Sequence, residues 1–189
     1  MRQNLAIGVA PGDPSGIGYE ITAKALADLR REGALDGCRV VVYAHEGLFR
    51  KASARFAPGL ELASAGTAVR EALPECISVQ DAGLSIDGFR PGVLDADCAR
   101  CAHQALMKCV ADAKSGAIDG ICTGPIHKGA MRLAGISEIG HTEMLASAFG
   151  AKDPMTLFIT RALRIFFYTR HLSLRQAIDA LDADRLVAF

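Results

Sequence analysis

Apolar and polar positions along the chain switch repeatedly between a strand-like and a helix-like period. "LAIGVA" (5–10) is a short apolar run that predicts a strand. "SGIGYEITAKALADLRR" (15–31) has helical spacing, which puts Ile17, Ile21, Ala25, Leu26 and Leu29 on its apolar face. "CRVVVYA" (38–44) predicts a second strand and 46–56 a second helix, and a strand is expected within 73–81. Residues 82–93, with Gly83, Gly88, Pro91 and Gly92, predict a loop. The clearest helix is 95–116, with an acidic start and a stop at Gly116. A strand at 117–124, helices at 127–134 and 141–149, and two strands, "MTLFIT" and "LRIFFYT", come next. The second of these is expected to be buried, and a helix opens near Ser173. Strands that alternate with helices predict an α/β fold with a mostly parallel sheet and helices on both faces.

Composition narrows the function classes. A chain of 189 residues suits one domain or slightly more, and half of it is hydrophobic, enough for a core. Its 21 basic and 21 acidic residues cancel, which gives no reason to expect nucleic acid or an anionic membrane as partner. No apolar run reaches membrane-spanning length. The opening "MRQNLAIGVAPGDPSG" breaks at Pro11-Gly12-Asp13, too soon for a signal peptide, so a cytoplasmic location is expected. Cys98 and Cys101 form a C-x-x-C. Together with Ala102, Ala105, Leu106, Cys109 and Val110, however, they follow one helical face. No second pair offers zinc spacing, so they read as buried reduced thiols.

Four stretches carry candidate chemistry. "PGDPSGIGYE" (11–20) is a glycine-rich turn between strand and helix. Such a turn can aim N–H groups at an anion, and Asp13 adds a carboxylate there. It matches neither G-x-G-x-x-G nor the P-loop, and a plain tight turn accounts for the glycines equally well. "TGPIHKG" (123–129) puts His127 and Lys128 just past a strand's carboxyl end, where open α/β sheets bind ligands; a surface helix cap is the bland alternative. In "GHTE" (140–143), His141 and Thr142 open a helix, and capping alone would account for them. His171 follows a strand end, but one histidine does not make a metal site.

Taken together, "GDPSGIG…E", "TGPIHKGAMRLAGI", "GHTE" and "RHLSLRQAID" resemble the 4-hydroxythreonine-4-phosphate dehydrogenase family in order and spacing, over essentially the whole chain. The segment "KDPMTLFITRALRIFFYTRHLSLRQ" looks more like a sister branch that oxidises 4-phospho-D-threonate or 4-phospho-D-erythronate. The resemblance implies a two-lobed fold like that of isocitrate and isopropylmalate dehydrogenases. Residues 1–189 would be its N-terminal portion, with 1–125 in the first lobe and 126–189 starting the second. It implies a homodimer with shared active sites, NAD or NADP, and a divalent metal (Zn, Mg, Mn or Co). The reaction would oxidise a secondary alcohol and then decarboxylate the β-keto acid. His141 and Thr142 would contact substrate, and His171 would bind the metal.

Two departures stand out. Tyr19 occupies a position where the family usually has proline. The family chain also continues past residue 189 and carries its other metal histidines and phosphate-gripping residues there, so this chain alone is expected to be inactive or incomplete. Two alternatives remain open at this point. One is a non-catalytic binding module of the same fold; the other is phosphate-acetyltransferase-like chemistry on a related architecture.

Overall fold

In the computed structural model the described residues are 5–65, 69, 76–84, 86, 88, 90–138, 140–152, 154–170 and 172–188. Five strands form one parallel sheet: β1 (Leu5–Ala10), β2 (Cys38–Ala44), β3 (Leu62–Ser64), β4 (Ile77–Asp81) and β5 (Gly120–Thr123), in the order β3-β4-β2-β1-β5. The register runs Ile7↔Val40 between β1 and β2, and Val9↔Cys122 between β1 and β5.

The central strand shows why the sheet takes helices on both sides. Successive side chains of a strand point to opposite faces. Val40, Val42 and Ala44 of β2 join Val9, Ile77 and Val79 under α1 (Gly18–Arg31) and α2 (Glu46–Phe56). Val41 and Tyr43 face the other way, onto Cys101, Ala105 and Cys109 of α3 (Ala96–Lys114). All five are 2 % exposed or less. Each large apolar side chain buried this way contributes about 1.5–3 kcal/mol, so a strand apolar on both faces is stable only between two helical layers. Gly8 of β1 lets α3 approach closely, since a Cβ there would lie 2.5 Å from the Cys109 Sγ.

A third apolar cluster joins Ala10, at the end of β1, to Leu106 and Val110 of α3. It also takes in Met131 of α4 (Lys128–Leu133) and Met144 of α5 (His141–Phe149). α4 and α5 thus pack on the α3 layer. α3 starts at Asp95, whose carboxylate accepts the Cys98 N–H at 2.8 Å. The predicted cysteine face is buried as expected, and all six cysteines are free thiols. Burial pushes the Cys98 thiol up to about 12 and the Cys101 thiol up to about 11.

Several expectations need correction. α1 begins at Gly18 and buries Tyr19, Thr22, Ala23 and Leu26, whereas Ile17 (62 % exposed), Ile21 (41 %) and Leu29 (38 %) point outward. Only Leu26 of the predicted stripe faces the core. The helix packs mainly on α2, and the face it buries mixes the small Thr22 and Ala23 with Tyr19 and Leu26. β3 was not expected; three residues leave no periodic signal. Of the strand expected within 73–81, Ile77–Asp81 is formed and 73–75 lie outside the described residues.

The chain divides into two compact units, Met1–Gly150 and Ala151–Phe189. In the second, β6 (Leu157–Thr160) and β7 (Leu163–Phe166) pair antiparallel across the two-residue link Arg161-Ala162, with Arg161 at φ 50°. Phe158 and Phe167 meet edge to face at 4.7 Å. The Arg170 guanidinium donates to the Thr156 hydroxyl (2.7 Å) and the Pro154 carbonyl (2.9 Å), tying the strand ends together. The strand expected to be buried is therefore one arm of a hairpin whose eight residues are all exposed. A helix opens at Ser173 as expected: Ser173 caps α6 (Leu174–Asp179) in a capping box with Gln176, and α7 (Ala183–Ala188) follows.

Candidate active site

The glycine-rich loop after β1 proves to be a backbone crossing. Gly12 has φ +88°, and its Asp13 N–H donates to the Pro125 carbonyl at 3.1 Å in the loop after β5. A Cβ on Gly12 would overlap the Pro125 carbonyl oxygen, and one on Gly18 or Gly124 would overlap the Pro11 carbonyl oxygen. Three glycines therefore let two loops at the carboxyl ends of neighbouring strands cross in contact. Their job is close approach of backbone to backbone.

Asp13 is 3 % exposed, and its carboxylate turns back on its own loop. One oxygen accepts the Ser15 N–H at 2.8 Å and the Ser15 hydroxyl at 2.7 Å. This is an aspartate-anchored turn that fixes the loop's shape. The Ser15 carbonyl in turn accepts the Gly92 N–H at 2.7 Å, which ties the loop before α3 to the same corner. Only an apolar pair, Val93-Leu94, in an otherwise polar loop hints at that contact in the sequence.

His127 is the N-cap of α4. Its Nδ1 accepts the Gly129 N–H at 3.1 Å, so the neutral ring carries its proton on Nε2. His127 and Lys128 are exposed. Asp13, Ser15, Val93, Leu94, Pro125 and His127 line one cavity of about 190 Å³, which joins two of the predicted sequence motifs at one rim of the sheet. Lys128 lies just beyond it in the chain and is not on its wall.

His141 opens α5 behind Gly140, and no side chain caps that helix. His141 is half-buried, and desolvation holds its pKa below the ordinary histidine value of 6.5. At neutral pH the ring is uncharged and offers one donor and one acceptor. Thr142 beside it is exposed, and Glu143 folds back over Gly140. α4 and α5 share the cluster around Met131 and Met144, so His127 and His141 start two helices that pack on the same layer.

His171 lies outside the described residues. Among the described residues, no three His, Cys, Asp or Glu side chains come together as a metal site. No helix among them is long and apolar enough to cross a membrane.

A parallel sheet with crossed glycine turns and capped helices gathered at its carboxyl rim is the architecture of α/β proteins that take small ligands beyond their strand ends. The chain belongs to the family described as pyridoxal phosphate biosynthetic protein PdxA, whose profile matches residues 36–189. A protein of Halalkalibacterium halodurans named "Putative D-threonate 4-phosphate dehydrogenase" is 33% identical to it, over 98% of this chain and 55% of the relative. The crystal structure of 4-hydroxythreonine-4-phosphate dehydrogenase from Klebsiella pneumoniae superposes with a TM-score of 0.83 at 36% identity, over 98% of this chain and 55% of that one. The Burkholderia phymatum enzyme of the same name superposes with a TM-score of 0.85 at 28% identity, over 96% and 55%. The expected α/β class is thus shown, and the chain spans about half the length of the relatives it matches.

Proposed function

We propose that this chain serves the NAD(P)-dependent oxidation of a 4-phosphorylated hydroxy acid, either 4-phosphohydroxy-L-threonine or 4-phospho-D-threonate or -erythronate. Membership of a family whose relatives are named dehydrogenases of such acids carries the reading. NAD(P), when bound, would supply the hydride acceptor for the substrate's secondary alcohol, whose proton would pass to the medium. The resulting β-keto acid then loses carbon dioxide.

His141 is the group proposed to hold the substrate's polar end. A neutral, half-buried imidazole can donate to a hydroxyl or carboxylate oxygen without adding fixed charge. The exposed Thr142 hydroxyl and the start of α5 would receive an anionic oxygen. His127 and Lys128 would face the same cleft as donors. Asp13 would contribute by fixing the loop, because its carboxylate is already occupied by Ser15. A divalent ion with His171 as one ligand belongs to the same reading, and the described residues supply no three-donor group for it. A homodimer with shared sites, and a lobe boundary near residue 125, are proposed with it.

The test is binding to the purified 189-residue chain. Calorimetry with each phosphorylated acid should show that one of them binds through the polar end that His141 and Thr142 hold. His141→Ala and Thr142→Val should each weaken binding roughly tenfold, the scale of one lost hydrogen bond to a charged group. If neither acid binds, or if both variants bind like the parent, the reading is wrong and a non-catalytic module of the same fold takes its place.

A further inference from the structure

Beside the strand-end corner of His127, on the other side of Gly16, a larger cavity of about 400 Å³ opens between α1 and α2. Tyr19 of α1 and Leu48, Ala52 and Phe56 of α2 give it an apolar wall, closed by Pro14 and Pro91. Tyr19 is the residue that departs from the family's usual proline. Its ring meets Phe49 edge to face at 5.7 Å, and its hydroxyl accepts the His45 N–H at 3.0 Å, so this wall is rigid.

The charges on the same cavity are unbalanced. Lys51 and Arg55 both line it, one helical turn apart on α2. Like charges at that spacing cost a helix a few tenths of a kcal/mol, and no ion pair to a described carboxylate relieves them. Arg55 instead lies 5.0 Å over the Phe56 ring. The lining carboxylate, Glu20, is already paired with Lys24 at 2.5 Å. No side chain caps the start of α1 at Ile17, and Gly16, just before it, lies on the cavity wall. A neutral chain thus concentrates two uncompensated cations at the mouth of an apolar slot, the pattern of a pocket that orients a ligand by one polar end.

We propose that this cavity binds a small organic anion with a flat apolar body, of the aryl phosphate or aryl carboxylate class. The flat body lies against Tyr19, Leu48 and Phe56, and the anion meets Lys51 and Arg55 as charge-assisted hydrogen bonds. The site shares Gly16 with the strand-end cavity and uses none of the residues proposed to contact the phosphorylated acid.

Phenyl phosphate is the probe, titrated into the 189-residue chain by amide NMR with inorganic phosphate and phenol as controls. It should bind with shifts confined to α1, α2 and the Pro91 loop, and each control should bind at least about tenfold more weakly. The double variant Lys51→Ala/Arg55→Ala, at exposed positions that leave the fold intact, should lose at least about tenfold in affinity. Ala52→Trp should abolish binding by filling the slot with both cations still present, and Cys122→Ser, on β5 away from the slot, should leave phenyl phosphate affinity at this cavity as it is in the parent. Undetectable binding at millimolar probe overturns the proposal, as does equal affinity in both α2 variants. Inorganic phosphate binding as tightly as phenyl phosphate would also overturn it.

Discussion

His141 and Gly18 show two ways in which one residue acts on its surroundings. Gly18 acts by what it lacks, since any side chain would strike the Pro11 carbonyl. His141 acts through its surroundings. Desolvation lowers its pKa, so the folded protein holds the neutral ring more readily than the unfolded chain does. The folded state therefore binds fewer protons than the unfolded state between the two values. The stability contributed is complete above the ordinary value of 6.5 and is lost as pH falls through the lower folded value. His141→Gln keeps the size and the hydrogen-bonding ends but cannot titrate. Urea unfolding midpoints of the two proteins should run parallel above neutrality and diverge in mild acid, with the parent losing stability faster. Parallel curves throughout would show that burial does not act on this ring as described.

At the scale of elements, the pattern of apolar positions located most helices and strands but not all of their orientations. α3 was legible down to its face, because Cys98, Cys101, Ala105, Leu106 and Cys109 repeat at helical spacing and their neighbours are polar. α1 was misread, because it carries two apolar stripes and the tighter one, Thr22-Ala23-Leu26, looks weaker in sequence. Packing on α2 selects that face, and that contact is not visible locally. The glycine loop was ambiguous for a similar reason, since its partner, Pro125, lies over a hundred residues away. The hairpin was marked in the sequence by two strand-like runs separated by two residues, a spacing that excludes a parallel crossover. The orientation of α3 has a direct chemical consequence. Cys98, Cys101 and Cys109 are buried with raised pKa values, whereas Cys122 is exposed on β5. A thiol reagent at mildly alkaline pH should modify Cys122 in the folded protein and reach the three α3 thiols only after denaturation. Rapid labelling of Cys98 or Cys109 in the native state would contradict the assigned face.

At the scale of the whole molecule, the two compact units differ in how their apolar residues are used. In Met1–Gly150, strands and helices bury one another in three apolar clusters. In Ala151–Phe189, Phe158, Ile159, Leu163, Phe166, Leu174 and Val187 are exposed within the chain, and α6 buries no side chain. A two-stranded hairpin with neither face covered is marginal by itself, because its hydrogen bonds are backed by little buried area. Local opening free energy follows burial, so the second unit should open far more often than the first. Hydrogen exchange should show this as a sharp step. Amides of β1, β2 and α3 should be protected to nearly the global stability, whereas those of Leu157–Thr160 and Leu163–Phe166 should exchange at least about a hundredfold faster. Adding a polypeptide or ligand that covers the hairpin would slow its exchange without altering β2. If the hairpin amides are as protected as those of β2 in the chain alone, its strands are buried in solution and the exposure described for them is wrong.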